Sequence, residues 1–231
     1  MSVFKLKQFA STSVHAATGA IRWNYDKVEL IADGIVHAVG VSSGLVAATV
    51  LVVLTSIYAR ALDIVVVSVY VAGLLSMLVL SATYNLWPVS PTKWVLRRFD
   101  HSAIYVLIAA TYTPFIAAMQ NGALAIALLV GVWGVAIFGI VLKLRWPGRF
   151  DTVAVGLYLA LGWSGIMMYD HVVTIMPKTV LGCVLAGGIL YSFGVIFHSW
   201  RRLRFQNAIW HCFVLLGAGC HYTAVLDLVL T

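Results

Sequence analysis

The sequence has little charge, few cysteines and no segment typical of secretion. Asp, Glu, Lys and Arg together make up 10% of its 231 residues, whereas 62% of the residues are hydrophobic. Soluble domains contain about 25% charged residues, so the composition excludes an ordinary soluble domain and predicts a membrane protein. The formal net charge of +7 is explained by cationic loops beside a membrane, and we expect no nucleic-acid partner.

The three cysteines offer no framework for disulfides or for a cysteine-ligated metal. Cys183, Cys212 and Cys220 all lie inside apolar runs, and no CxxC pair occurs. Membrane-buried thiols usually behave as small hydrophobic groups, so we expect no disulfide. Residues 1–27 carry four Lys or Arg residues but no apolar core, which predicts a cytoplasmic N-terminal segment and no signal peptide.

Seven apolar segments follow this N-terminal segment. A helix needs about 20 apolar residues to cross a bilayer, and each segment is close to that length. They lie at 30–58, 63–87, 101–119, 123–142, 152–170, 179–199 and 208–230. Because the connections are short and no second domain is indicated, residues 28–231 are predicted to form one membrane domain, an all-α bundle of seven transmembrane helices.

Positive charge is divided unequally between the two sides of this predicted bundle. Thirteen of the 15 Lys and Arg residues lie in the N-terminal segment and in the loops at 88–99, 143–150 and 200–207. Only Arg60 and Lys178 fall on the opposite side. The positive-inside rule therefore predicts a cytoplasmic N-terminus and a C-terminus outside.

Polar side chains collect at the predicted cytoplasmic ends of four spans. They are Glu29, Asp33 and His37 on span one, Ser81 and Asn85 on span two, Asp100 and His101 on span three, and Asn207 and His211 on span seven. Spacings of four residues keep such side chains near one helix face, and ionisable residues in membrane spans are usually functional. The set predicts a pocket open to the cytoplasm, although a helix cap would explain Asp100 alone and a core histidine would explain His211 alone.

The motifs that contain these residues resemble those of the hemolysin III proteins, the bacterial members of the progestin and adiponectin receptor family. The segments are ELIADGIVHAVG (29–40), SATYN (81–85), RRFDHSAIYVLIAATYTPF (97–115) and NAIWHCFVLLGAGCHY (207–222). The resemblance covers nearly the whole chain. It implies a seven-helix bundle in the cytoplasmic membrane of a bacterium, with its N-terminus in the cytoplasm and a zinc site at the cytoplasmic end.

The resemblance also assigns roles to individual positions. It implies three zinc-ligating imidazoles, one at the end of span two and two in an HxxxH motif at the start of span seven, which fall here on Asn85, Asn207 and His211. Asp100 and Ser81 stand at the family's catalytic positions. Amide oxygens suit calcium or water better than zinc. We therefore expect zinc to be absent or weakly bound, and these polar residues to hydrogen-bond to one another.

Three functions remain open from the sequence. The lost imidazoles favour a non-catalytic, receptor-like or regulatory protein of membrane lipid or stress homeostasis, whose pocket binds a lipid. The retained Asp100 and His211 leave open a zinc-dependent, ceramidase-like hydrolase of lipid amides or esters. The family's name suggests a pore or transporter, but the middles of the spans are apolar and a conduction path needs polar residues there.

Overall fold

The computed structural model of the chain describes residues 26–119, 122–146, 148–168, 173–174, 176–200 and 202–230. Within these ranges the chain is helical and contains no β-strand. The α-helices are α1 (Lys27–Tyr58), α2 (Ala61–Leu86), α3 (Pro91–Ala117), α4 (Gly122–Arg145), α5 (Asp151–Trp163), α6 (Lys178–Ser199) and α7 (Gln206–Leu230). The predicted all-α fold is confirmed. Part of the charge count, Lys5, Lys7, Arg22 and Arg201, lies outside the described residues.

Five of the described helices are long and apolar enough to cross a membrane, namely α1, α2, α4, α6 and α7. Helix α3 has sufficient length, with 27 residues, but carries several charged side chains in its first turns. Helix α5 has 13 residues and continues as a short 3-10 helix over Ser164–Met168. The length and composition of the five long apolar helices make the chain an integral membrane protein.

Helix α3 begins well before the predicted third span. Ser90 is its N-cap, accepting a hydrogen bond from the backbone N–H of Lys93 at 3.3 Å, and Pro91 occupies the first turn. Both residues favour a helix start. The predictions of a loop at 88–99 and of a helix opening at Asp100 were therefore wrong, because hydropathy locates the apolar part of a helix and not its beginning. Asp100 and His101 lie more than two turns inside α3.

Helix α4 likewise continues past its predicted end at residue 142, as far as Arg145. This extension places Lys143 in the helix, where its Nζ lies 2.7 Å from Asp151 Oδ1 at the start of α5. Because Asp151 pairs with the ammonium group, Lys143 can be buried, and α4 continues beyond its apolar stretch. Lys143 was predicted to lie in a loop, and that prediction was wrong.

The helices pack with unequal tightness. Helices α1, α2, α3 and α7 share one apolar core, which includes Leu51, Val67, Leu107 and Val225. A Cβ added to Gly44 would lie 2.3 Å from the Leu78 side chain, so α1 and α2 approach each other closely. Helix α5, by contrast, contacts α3, α4 and α6 only sparsely. The loose packing leaves open space on the α5 side of the bundle.

Candidate functional site

The first turn of α1 is fixed by a capping box. Asp26 Oδ1 accepts a hydrogen bond from the backbone N–H of Glu29 at 2.8 Å, and Glu29 Oε2 accepts one from the backbone N–H of Asp26 at 2.9 Å. The bond from Glu29 lowers the pKa of the Asp26 carboxyl. Glu29 Oε1 also accepts from the backbone N–H of Phe205 at 2.9 Å. Glu29 therefore ties the start of α1 to the residue before α7.

One turn further along α1, Asp33 lies at the centre of a buried polar cluster. Its side chain and backbone are only 3% exposed. Asp33 Oδ1 accepts from His211 Nδ1 at 2.7 Å, and Oδ2 accepts from Asn207 Nδ2 at 3.2 Å. His37 Nδ1 donates to the Asp33 backbone carbonyl at 2.8 Å and lies 3.5 Å from Oδ1. Both oxygens of one carboxylate thus join α1 to α7.

Asn85 and Ser81 bring α2 into the same cluster. The Asn85 side-chain oxygen accepts from Asn207 Nδ2 at 3.0 Å. Its Nδ2 donates to the Ser81 backbone carbonyl at 3.0 Å and lies 3.5 Å from His211 Nε2. The Ser81 hydroxyl lies 3.3 Å from His37 Nε2. We define Asp33, His37, Ser81, Asn85, Asn207 and His211 as the polar cluster.

Asp100 and His101 lie beside the polar cluster on α3. The Asp100 carboxylate interacts with the Ser81 hydroxyl, and its Oδ2 is 3.9 Å from His101 Nε2. The His101 backbone carbonyl accepts a hydrogen bond from the Tyr158 hydroxyl at 2.9 Å. Side chains from four helices thus meet in one region. The carboxylate at the centre of its hydrogen bonds is that of Asp33 and not that of Asp100.

Lys93 is a residue of this region that the sequence analysis missed. Its side chain is buried, and Nζ donates to the backbone carbonyls of Asn85 at 2.9 Å and Trp87 at 2.8 Å. The last carbonyls of a helix have no partner within the helix, and cations there are favourable. Lys93 therefore holds the end of α2 that carries Asn85. The sequence signal that could have identified Lys93 is its position eight residues after Asn85, just beyond a turn that contains proline.

The three positions implied by the resemblance do not fit a zinc ion. Only His211 offers an imidazole there, and the amides of Asn85 and Asn207 are hydrogen-bonded to each other. Structural and catalytic zinc sites use imidazole, thiolate or carboxylate ligands. The side chains at positions 85, 207 and 211 are suited to hydrogen bonds with one another and not to zinc.

A different set within the polar cluster could hold a metal ion. Asp33, His37 and His211 each offer a ligand atom, and these atoms lie within 4.8 Å of one another. The Nδ1 atoms of both histidines face oxygen acceptors of Asp33 at hydrogen-bonding distance, so each carries a proton. Metal binding at those atoms would have to displace both protons. In the observed geometry these two nitrogens serve hydrogen bonds to Asp33.

A cavity of about 1880 Å³ opens beside the polar cluster. Helices α2 to α7 line it, and α1, which is described throughout, contributes no residue to its wall. The wall is mostly apolar, with Met77, Leu107, Phe115 and Val214 among its members. Its polar lining includes Ser81, Asn85, Asp100, His101, Asn207 and His211. The cavity therefore combines a mainly apolar wall with polar groups, among them four members of the polar cluster.

Comparison with known proteins identifies the family. The profile of the family described as "Haemolysin-III related" matches residues 28–222. The chain is 37% identical to "Hemolysin-3 homolog" of Bacillus subtilis (strain 168) over 86% of its own length and 93% of that protein's. It is 35% identical to "Hemolysin-3" of Bacillus cereus over 87% and 92% of the two lengths. A more distant relative is "Heptahelical transmembrane protein ADIPOR2" of Oryza sativa subsp. japonica, 26% identical over 68% of this chain and 79% of the other. The chain belongs to the haemolysin-III related family of membrane proteins.

Proposed function

We propose that the protein is a non-catalytic, lipid-binding membrane protein of the hemolysin III type that acts in membrane lipid or stress homeostasis. The observation that carries this proposal is the cavity of about 1880 Å³, whose wall is mainly apolar and includes members of the polar cluster. Pockets for drug-sized ligands measure about 300–1,000 Å³. A larger, mainly apolar cavity suits the acyl chain of a lipid, whose head would lie among the polar groups of its wall.

In this proposal all seven helices cross the cytoplasmic membrane of a bacterium, with the N-terminus inside. The uneven distribution of Lys and Arg supports the orientation. The buried cations of α3 have carbonyl or carboxylate partners, which lowers the cost of placing that helix in a membrane. The Bacillus relatives support a bacterial membrane, and the rice relative, named as a heptahelical transmembrane protein, supports the helix count.

The polar cluster acts in this proposal as a structural plug beside the cavity. Asp33 supplies a carboxylate to His211 and Asn207, so the polar groups of α1 and α7 are satisfied away from water. Asn85 and Asn207 occupy the positions implied for zinc ligands and bond to each other. The cluster thus holds the cytoplasmic ends of α1, α2 and α7 together without turnover.

A metal-dependent hydrolase of lipid amides or esters is the second candidate. The group formed by Asp33, His37 and His211 favours it, because two imidazoles and a carboxylate are ligands of catalytic metals. A bound zinc ion would supply an activated water. Metal content of the purified protein, together with release of fatty acid from an amide lipid, separates this candidate from the first.

Two glycines at the cavity wall can each accept a Cβ atom without a clash. Gly131 and Gly182 line the cavity, and a Cβ at either would have nothing within 4 Å. Gly134 and Gly219 are equally open, but they lie outside the cavity wall. The double variant Gly131→Phe/Gly182→Phe is therefore matched by the control Gly134→Phe/Gly219→Phe.

Lipids that remain with the purified protein should be extracted and measured by mass spectrometry. The wild-type chain and the control variant should retain lipid in similar amount, and the cavity-filling variant should retain much less. Equal retention by the two double variants, or no retained lipid in the wild type, would contradict the proposal.

A further inference from the structure

A second charged group lies at the cavity wall, formed by α3, α4 and α5. Arg97 Nη2 is 2.5 Å from Asp151 Oδ2, and Lys143 Nζ is 2.7 Å from Asp151 Oδ1. Arg97 is 7% exposed and Lys143 is 3% exposed. All three residues line the cavity. This basic group contains none of the residues of the polar cluster.

The basic group has more positive than negative charge. Two cations share the single carboxylate of Asp151, and within the described parts of the chain no other carboxylate lies within 4 Å of either cation. Asp100, which follows Arg97 by one helical turn, attracts Arg97 electrostatically but forms no ion pair with it within 4 Å. A guanidinium has five N–H donors and an ammonium three. Arg97 and Lys143 therefore have donors beyond those that bond to Asp151. Buried charge that lacks a full partner is costly, and an anion in the cavity would offset that cost.

We propose that Arg97 and Lys143 bind the anionic head of an amphiphile whose hydrocarbon chain occupies the apolar part of the cavity. The inference rests on the proposed lipid-binding function and specifies the class of ligand. The head is a carboxylate or a phosphate, because both accept several charge-assisted hydrogen bonds from Arg and Lys. His101 and Thr152 line the same cavity and provide further polar contacts.

Three probes with the same hydrocarbon chain test the head group. Dodecyl phosphate, dodecanoate and the neutral 1-dodecylglycerol should each be titrated into the purified full-length chain, at concentrations below micelle formation. At least one of the two anions should bind about tenfold or more tightly than the neutral probe, the effect of one charge-assisted hydrogen bond. Which anion binds better distinguishes a phosphate from a carboxylate head. Competition by inorganic phosphate tests whether a phosphate group binds without a hydrocarbon chain.

A charge-removing variant with a matched control tests the residues. Lys143→Met removes the excess cation and leaves the Arg97–Asp151 ion pair intact, so no buried carboxylate loses all its partners. Arg145→Met removes a cation from the same helix at an exposed position outside the cavity wall. The anion preference should fall about tenfold in Lys143→Met and stay unchanged in Arg145→Met. Circular dichroism of both variants verifies that the helices remain folded.

The outcomes separate this inference from the function on which it rests. If the neutral probe binds as tightly as both anions, or if Lys143→Met keeps the preference, the basic group does not bind the head and the inference is wrong. In that case the Gly131→Phe/Gly182→Phe variant still tests lipid binding through its loss of the neutral probe. If no probe binds the wild-type chain, both the inference and the proposed function are overturned.

Discussion

Replacing Asn85 and Asn207 with histidine should create a zinc site around His211. The two amides stand where the resemblance implies imidazoles, and they are already neighbours of His211. The Asn85 amide lies 3.5 Å from His211 Nε2 and 3.0 Å from the Asn207 amide. Zinc–nitrogen bonds of about 2.0–2.1 Å place two ligand nitrogens of a tetrahedral site about 3.3 Å apart. The Asn85 side chain thus already lies at about the spacing of zinc ligands from both His211 and Asn207.

The remaining parts of the site are present in the wild-type chain. Asp33 Oδ1 accepts from His211 Nδ1, which leaves Nε2 of His211 for the metal and orients the ring. Loss of such a partner typically lowers metal affinity about 10- to 100-fold. Adding Asp33→Asn to the double variant should therefore weaken zinc binding by a factor of that order.

Zinc content by inductively coupled plasma mass spectrometry is the assay. The wild-type chain, purified without added metal, should contain well under one zinc per chain, the double variant Asn85→His/Asn207→His close to one, and each single variant much less than the double. Zinc at about 100 times the dissociation constant should stabilise the double variant by about 2.7 kcal/mol, because a ligand of the folded state shifts unfolding by mass action. Stoichiometric zinc in the wild-type chain would show that the asparagines do not impair a metal site. No zinc in the double variant would show that positions 85, 207 and 211 do not converge on one ion.

Two further predictions concern topology and packing. A periplasmic reporter such as alkaline phosphatase, fused after Thr231, should be active and a fluorescent protein fused there should be dark; the reverse result would refute the orientation derived from the Lys and Arg distribution. Gly139→Ala should lower the thermal stability, because its Cβ would lie 2.3 Å from the Tyr105 ring and overpacking costs about 1–3 kcal/mol. Gly134→Ala in the same helix has nothing within 4 Å and should be neutral or stabilising, so equal melting temperatures for the two variants would contradict the packing argument.

The apolar segments could be predicted from the sequence because hydropathy identifies membrane helices. All seven segments overlap helices of the structure. The start of α3 was missed, since the Ser90–Pro91 signal lies outside the apolar stretch. The end of α4 was missed for a related reason, because the partner that allows Lys143 to be buried lies on another helix.

The candidate site was readable only in part. Spacings of four residues and similar positions along the helices pointed to one pocket that included Asp33 and His37. The resemblance singled out Asn85, Asn207 and His211 as ligand positions. The central role of Asp33 depends on two hydrogen bonds to α7 that join residues far apart in sequence. No local pattern specifies which carboxylate receives such bonds. Lys93 and the basic group escaped notice for the same reason, because a loop cation and a buried cation look alike in sequence.

The sparse packing of α5 makes it the helix of the bundle that can move away from its neighbours most easily. Helices α1, α2 and α7 are joined by the polar cluster and, with α3, by a common apolar core, whereas α5 has few contacts and passes into a 3-10 turn after Trp163. Widening the cavity breaks the fewest interactions where α5 moves away from its neighbours. If a lipid binds in the cavity as proposed, its association and dissociation rates should therefore depend on how readily α5 moves.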